Sequence, residues 1–167
     1  MEEIVNKVAQ SGLISLDLES LRIPGERVQL DIKQWLFQAY VLREKEFRAA
    51  LSQHDWTQYK DQHVAITCSN DAIVPTWAYM LIALQLQGIA QSFHFGDLEA
   101  LETELFRQAL AALPLEEFQD ARVVVKGCSK QAVPMQAYVA ITELLKPKVK
   151  SLFFGEPCST VPLFKRK

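Results

Sequence analysis

The sequence predicts an α/β fold: a three-layer sandwich around a mainly parallel sheet, built from two tandem β/α repeats of about 59 residues. Three observations predict it. Residues 42–97 match residues 101–156 without a gap, at a constant offset of 59. Within each copy, short apolar runs alternate with helical patterns. The runs Val123-Val124-Val125 and Leu152-Phe153-Phe154 are apolar throughout, as strands covered on both faces are. The match contains 16 identities in 56 positions, among them Phe47-Arg48 with Phe106-Arg107, Val74-Pro75 with Val133-Pro134, and Ala78-Tyr79 with Ala137-Tyr138. Unrelated stretches of ordinary composition share roughly 3 or 4, so a repeated unit is the simplest explanation.

The elements follow in chain order. Ile4, Val5 and Val8 stand at helical spacing with Gly12 as a stop, which predicts a short helix over residues 2–10. Ile23-Pro24-Gly25-Glu26 is a turn, because Pro presets its own φ and Gly tolerates the positive φ that follows. Val28, Leu30 and Ile32 alternate with polar residues, as in a strand, and residues 34–42 read as strand passing into helix. In the first copy Phe47, Ala50 and Leu51 mark a helical stripe, and residues 64–67 form a short apolar strand. A helix over 75–87 follows, opening on Pro75 and stopped by Gly88, and then a strand over 92–95 ending at Gly96-Asp97. After a helix over 98–111, the second copy repeats this with a strand at 122–126, a helix at 133–145 stopped before Pro147, and a strand at 150–154. Helical connections between successive strands imply parallel pairing with right-handed crossovers. The expected organisation is a single domain: an extension over 1–41, repeats over 42–97 and 101–156, and a solvated tail over 157–167.

Composition narrows the function classes. At 167 residues the chain is long enough to bury a core unaided, and 49% hydrophobic with 23% charged residues is far from the signature of disorder. A net charge of -2, from 18 basic and 20 acidic residues, provides no basic field, which argues against general nucleic-acid binding. The start Met1-Glu2-Glu3-Ile4 is acidic where a secretory signal is basic. No apolar run approaches the roughly 20 residues of a membrane span. A cytoplasmic protein without a membrane partner is expected. Cys68, Cys128 and Cys158 form an odd set without C-x-x-C spacing, which fits reduced thiols rather than a disulfide framework.

In open parallel sheets, ligands occupy the crevice outside the carboxyl ends of the strands. All three cysteines fall on loops of that kind, each followed by Ser and then, within a few residues, by Val-Pro. One reading is a metal or iron–sulfur site, with Cys68, Cys128 and Cys158 as soft ligands for zinc or iron and Asp97 or Glu156 as a further donor. A second is thiol chemistry at Cys68 or Cys128, since a helix N-terminus stabilises thiolate. A third is packing alone, because cysteine behaves as a small buried hydrophobe. In the 59-residue register Cys68 falls opposite Gly127 and Cys128 opposite Ser69, so the cysteines are not repeat-equivalent unless Gly127 is bulged. Asp71 and Asp97 precede helices, where a carboxylate ordinarily caps free amides. The amides at the starts of the Pro75 and Pro134 helices offer an anion site, but no phosphate-loop motif accompanies them. His54, His63 and His94 lack metal-ligand spacing.

The phrases Ala65-Ile66-Thr67-Cys68-Ser69, Asp71-Ala72-Ile73-Val74-Pro75-Thr76-Trp77-Ala78-Tyr79-Met80, Lys126-Gly127-Cys128-Ser129-Lys130 and Gly155-Glu156-Pro157-Cys158-Ser159-Thr160-Val161-Pro162 resemble an uncharacterised bacterial family, domain-of-unknown-function family 2480. The resemblance spans essentially the whole chain and implies no activity or catalytic residue. Its association with iron–sulfur assembly genes leans toward the metal reading. The function expected is thus a cytoplasmic accessory protein binding zinc, iron or an iron–sulfur species. The alternatives are a non-catalytic protein-interaction module or homodimer with structural cysteines, and a thiol-dependent enzyme.

Overall fold

The computed structural model describes residues 5–8, 12–127, 130–156 and 158–167. Its elements in chain order are β1 Val5–Val8, β2 Leu13–Leu16, β3 Arg27–Asp31, α1 Glu44–Gln53, β4 His63–Thr67, α2 Thr76–Leu86, β5 Ser92–Phe95, α3 Leu98–Ala111, β6 Arg122–Val125, α4 Met135–Leu145, β7 Ser151–Glu156 and β8 Ser159–Lys165. The fold is mixed α/β with mostly parallel strands, and among the described residues no helix is long and apolar enough to cross a membrane.

The strands lie in two sheets rather than one. The chain accordingly divides into two compact units: Pro24–Glu104, and Met1–Ile23 with Leu105–Lys167. In the Pro24–Glu104 unit the order is β3-β4-β5, all parallel. In the other unit the parallel strands β2-β6-β7 are flanked by antiparallel β1 and β8. Each middle strand pairs with a leading strand of its own, β3 beside β4 and β2 beside β6.

Both leading strands end the same way. Leu16-Asp17 and Leu30-Asp31 close β2 and β3, and each carboxylate accepts a backbone N–H two residues on, from Glu19 at 3.0 Å and from Lys33 at 3.1 Å. That bond caps a short 3-10 turn, Leu18–Leu21 or Ile32–Trp35, whose apolar residues then enter the core. The middle strands explain the cores. Val64, Ala65 and Ile66 are all buried, as are Val123, Val124 and Val125. Successive strand residues face opposite sides, so both faces of each middle strand are covered. In the Pro24–Glu104 unit Phe47, Ile82 and Leu86 pack with Val64 and Ile66, and in the other unit Phe106, Ile141 and Leu145 pack with Val123 and Val125. Each such fully buried side chain contributes about 1.5–3 kcal/mol relative to exposure.

Matching positions recur 59 residues apart. Helix α2 and helix α4 have the same length at that offset, each with Pro at the N-cap. The 3-10 turns Trp56–Tyr59 and Leu115–Phe118 do likewise. Asp61 and Asp120 both take positive φ, 60° and 55°, and both donate their N–H to equivalent carbonyls, Ile89 and Lys148. The Pro24–Glu104 unit also holds a mostly buried ion pair: the Arg27 guanidinium donates from Nε (2.7 Å) and Nη2 (3.0 Å) to both oxygens of Glu102.

Three sequence expectations need correction. Residues 5–8 are strand, not helix, paired antiparallel with β2 so that Val8 lies opposite Leu13; the rest of the segment read as helix, residues 2–4 and 9–10, lies outside the described residues. Residues 34–42 form neither the expected strand nor a lead into α1: Gln34 and Trp35 end the 3-10 turn Ile32–Trp35. Gln38 and Ala39 take positive φ, and the isolated bridges Phe37 to Val41 and Val41 to Ile73 hold the segment. The expected tail carries β8, and the Arg166 guanidinium meets Asp120 at 2.5 Å. Hydrogen bonds to the β7 edge order this segment despite its polar end.

Two outcomes follow. Glu102→Ala leaves Arg27 charged and mostly buried, and denaturant unfolding should show a loss of about 3 kcal/mol, whereas the paired change Arg27→Met with Glu102→Leu should cost far less. His54 sits in an aromatic cluster with Trp35, Trp56 and Tyr59, its Nε2 2.8 Å from the Tyr59 hydroxyl. Burial lowers its pKa below the ordinary 6.5, against a smaller upward pull from Asp55. The neutral ring is therefore the stable form: its contribution is complete above about pH 6.5 and lost as pH falls through the lowered value. The melting temperature should fall between pH 7 and pH 5, and His54→Gln should flatten that slope.

Candidate functional site

The carboxyl ends of β3, β4 and β5 bring together Asp31, Cys68 and Tyr79. Asp31 ends β3, and its Oδ1 accepts from the amides of both Lys33 and Ser69, at 3.1 and 3.2 Å. Burial raises its pKa, but hydrogen bonds from the Ser69 side chain and from these two amides outweigh it, and the net shift is downward. Cys68 follows β4 and is partly buried. Its Sγ lies 3.5 Å from the Asn70 carbonyl, and the Asn70 side-chain amide donates to Ala39 at 2.7 Å, anchoring the loop. Tyr79 stands on the first turn and a half of α2. Burial raises its hydroxyl pKa, and the nearby Cys68 and Asp31 add to the shift. The Tyr79 ring meets Phe95 edge to face, with centroids 5.1 Å apart.

Beside this cluster runs an apolar groove of about 480 Å³ between α2 and β5, lined by Ile66, Val74, Tyr79, Met80, Ala83, Phe93 and Phe95. A second, more polar hollow of about 580 Å³ borders the start of α3, where His94, Asp97, Glu99, Thr103 and Glu104 line it. Helix α2 is apolar on both sides. Ala78, Ile82 and Leu86 are buried, yet Met80 is 61% and Leu84 70% exposed, and Ile73 just before the helix is 95% exposed.

The matching strand ends of the other unit are filled from within. Lys126 Nζ lies 3.8 Å from Asp17, and the Glu19 carboxylate accepts from the amides of Lys130 and Gln131 at 2.8 and 3.0 Å. An anion site at that loop is thus occupied by the chain's own carboxylate. A side chain at Gly127 would place Cβ 2.9 Å from the Phe154 ring, so glycine there lets Phe154 fold inward to 36% exposure. Fifty-nine residues earlier the position is Cys68, and Phe95 is 72% exposed. The non-equivalence of the cysteines therefore coincides with a difference in surface.

The expected metal ligands are distributed as follows. Cys68 and Asp97 belong to the Pro24–Glu104 unit, and Cys158 and Glu156 to the other. Cys128 lies outside the described residues. Cys158 is exposed and Glu156 pairs across to Ser159 in the β7–β8 ladder. Asp97 caps α3, its Oδ1 accepting from the Ala100 amide at 2.8 Å. Helix α2, in contrast, has no side-chain cap bond, so Asp71 does not fill that role. Among the described residues no group of three or more His, Cys, Asp or Glu is placed to hold a metal ion. Asp31 and the groove escaped sequence reasoning. The signal that would have found Asp31 is the repeated Leu-Asp after an alternating run, at 16–17 and 30–31.

Comparisons with known proteins add a family and little chemistry. Tyrosine-protein phosphatase non-receptor type 21 from Rattus norvegicus is 32% identical over 74 residues, which is 44% of this chain but 6% of that protein. The chain thus spans a small fraction of the curated relative it matches. No solved structure matches the chain. The family described as a protein of unknown function, DUF2480, matches residues 2–166, and the chain belongs to that family.

Proposed function

We propose that this protein is a non-catalytic interaction module that binds another polypeptide through the α2 and β5 face of its Pro24–Glu104 unit. The observation that carries this reading is the double-sided apolar character of α2. A helix apolar all round is ordinarily buried, yet Met80 and Leu84 face solvent beside exposed Phe95 and an apolar groove. Contiguous apolar surface of this kind marks interaction sites. The setting is cytoplasmic, where Cys68 and Cys158 remain thiols. We read the two units as copies of one β/α unit, each built on three parallel strands covered by helices on both faces. The shared 59-residue offset of helices, turns and positive-φ residues supports this. On this reading one copy kept its strand-end face for a partner.

A second reading is the metal site, favoured by the meeting of a thiol and a carboxylate, Cys68 and Asp31, at one strand-end cluster. Zinc, iron or an iron–sulfur species would be the ligand.

Two measurements test these readings. A photo-crosslinking residue placed at Leu84 in living cells should yield protein adducts, while the same residue at exposed Lys60 should not. Equal or absent labelling at both positions would sink the interaction module. For the metal reading, protein purified without oxygen should carry close to one equivalent of zinc or iron, and Cys68→Ala should remove it. Metal content below about a tenth of an equivalent after reconstitution excludes it.

A further inference from the structure

Among the described residues, strand β5 is the last strand of its sheet and pairs with β4 alone. The amides of Ser92 and Gly96 point inward, donating to the carbonyls of Gln62 and Ile66. In a parallel ladder successive residues alternate in the direction of their backbone groups, so the N–H and C=O of Phe93 and Phe95 point outward, away from β4. An edge of this kind is a template for a further strand.

The other unit shows what covers the corresponding edge. Strand β7, 59 residues on, carries β8 antiparallel, with Leu152 opposite Phe164, Phe153 opposite Pro162 and Phe154 opposite Val161. Among the described residues no such strand lies beside β5. A strand laid there in the same register would run past Phe93, His94 and Phe95, along the mouth of the apolar groove. Charge narrows the occupant further. Asp97 and Glu99 line the hollow on the α3 side, and β8 ends at Lys165, followed by Arg166-Lys167. Acidic groups beside a strand edge favour basic residues in the incoming strand.

We propose that β5 receives an extended segment of a partner protein as an antiparallel fourth strand. That segment carries apolar side chains at alternate positions for the groove and Lys or Arg for the acidic hollow, the mode of recognition in which main-chain bonds supply affinity and side chains supply specificity. The proposal rests on the interaction-module reading and specifies its geometry.

The probe is a labelled peptide of the chain's own residues 159–167, titrated into the full-length protein and followed by fluorescence anisotropy and amide hydrogen exchange. It should bind, and it should slow exchange of the Phe93 and Phe95 amides by about tenfold or more. Replacing its three basic residues by Glu should weaken binding by about tenfold, as should raising salt from about 50 to about 500 mM. A peptide methylated on alternate backbone nitrogens should not bind, a control that leaves the protein's fold untouched. Absence of binding up to about 1 mM, or binding without protection of those two amides, overturns strand addition. The latter result, with adducts still formed at Leu84, spares the interaction module. Concentration-dependent dimers that protect the same amides without peptide assign the edge to a second copy and overturn the partner segment.

Discussion

A strand buried on both faces cannot stand alone: its two rows of side chains need cover above and below, and its two edges need backbone partners. Val64-Ala65-Ile66 imposes that demand in one unit and Val123-Val124-Val125 in the other. The helices and the leading strands are the answer to it. Parallel neighbours on either side require long connections, which the chain makes helical, and those crossovers bring the loops of each sheet to the carboxyl ends of its strands. The position of Asp31, Cys68 and Tyr79 at one such end is thus a consequence of the middle strand.

The two units differ in how they treat their strand ends and edges. In one, Glu19 satisfies the loop amides, Gly127 admits the Phe154 ring, and β8 closes the sheet edge. In the other, a cysteine stands at the matching position, Phe95 is more exposed, and among the described residues β5 has no further strand. These differences point the same way, toward a unit that is internally complete and a unit that presents apolar and hydrogen-bonding surface. A structural cysteine and an interaction surface are compatible accounts of Cys68, since its thiol hydrogen bonds to the Asn70 carbonyl within its own loop.

The helices and central strands were legible because local signals and burial agree there. Pro75, Gly88 and Pro147 mark helix boundaries by backbone geometry alone, and continuous Val and Ile runs mark strands covered on both faces. The edge elements were not legible. Residues 5–8 and 159–165 are ordered by ladder bonds to β2 and β7, so their own pattern carries little information. Gln38 and Ala39 adopt left-handed backbone without glycine, a choice enforced by the bridges around them. Asp31 was overlooked for a different reason: a carboxylate after a strand is ordinary until its partner, the Ser69 amide 38 residues away, is known.

By itself the sequence determined the α/β class, the boundaries of the helices and middle strands, and the 59-residue recurrence, because these depend on periodicity and on residues whose backbone preferences are intrinsic. Only the tertiary structure decided that the strands divide into two sheets, that β8 closes one edge while among the described residues β5 has no further strand, and that Cys68 lies with Asp31 and Tyr79. Those outcomes depend on which distant segments pair, and pairing is chosen by the whole sheet: a leading strand joins whichever middle strand buries its apolar residues and satisfies its backbone, and no local pattern records that choice.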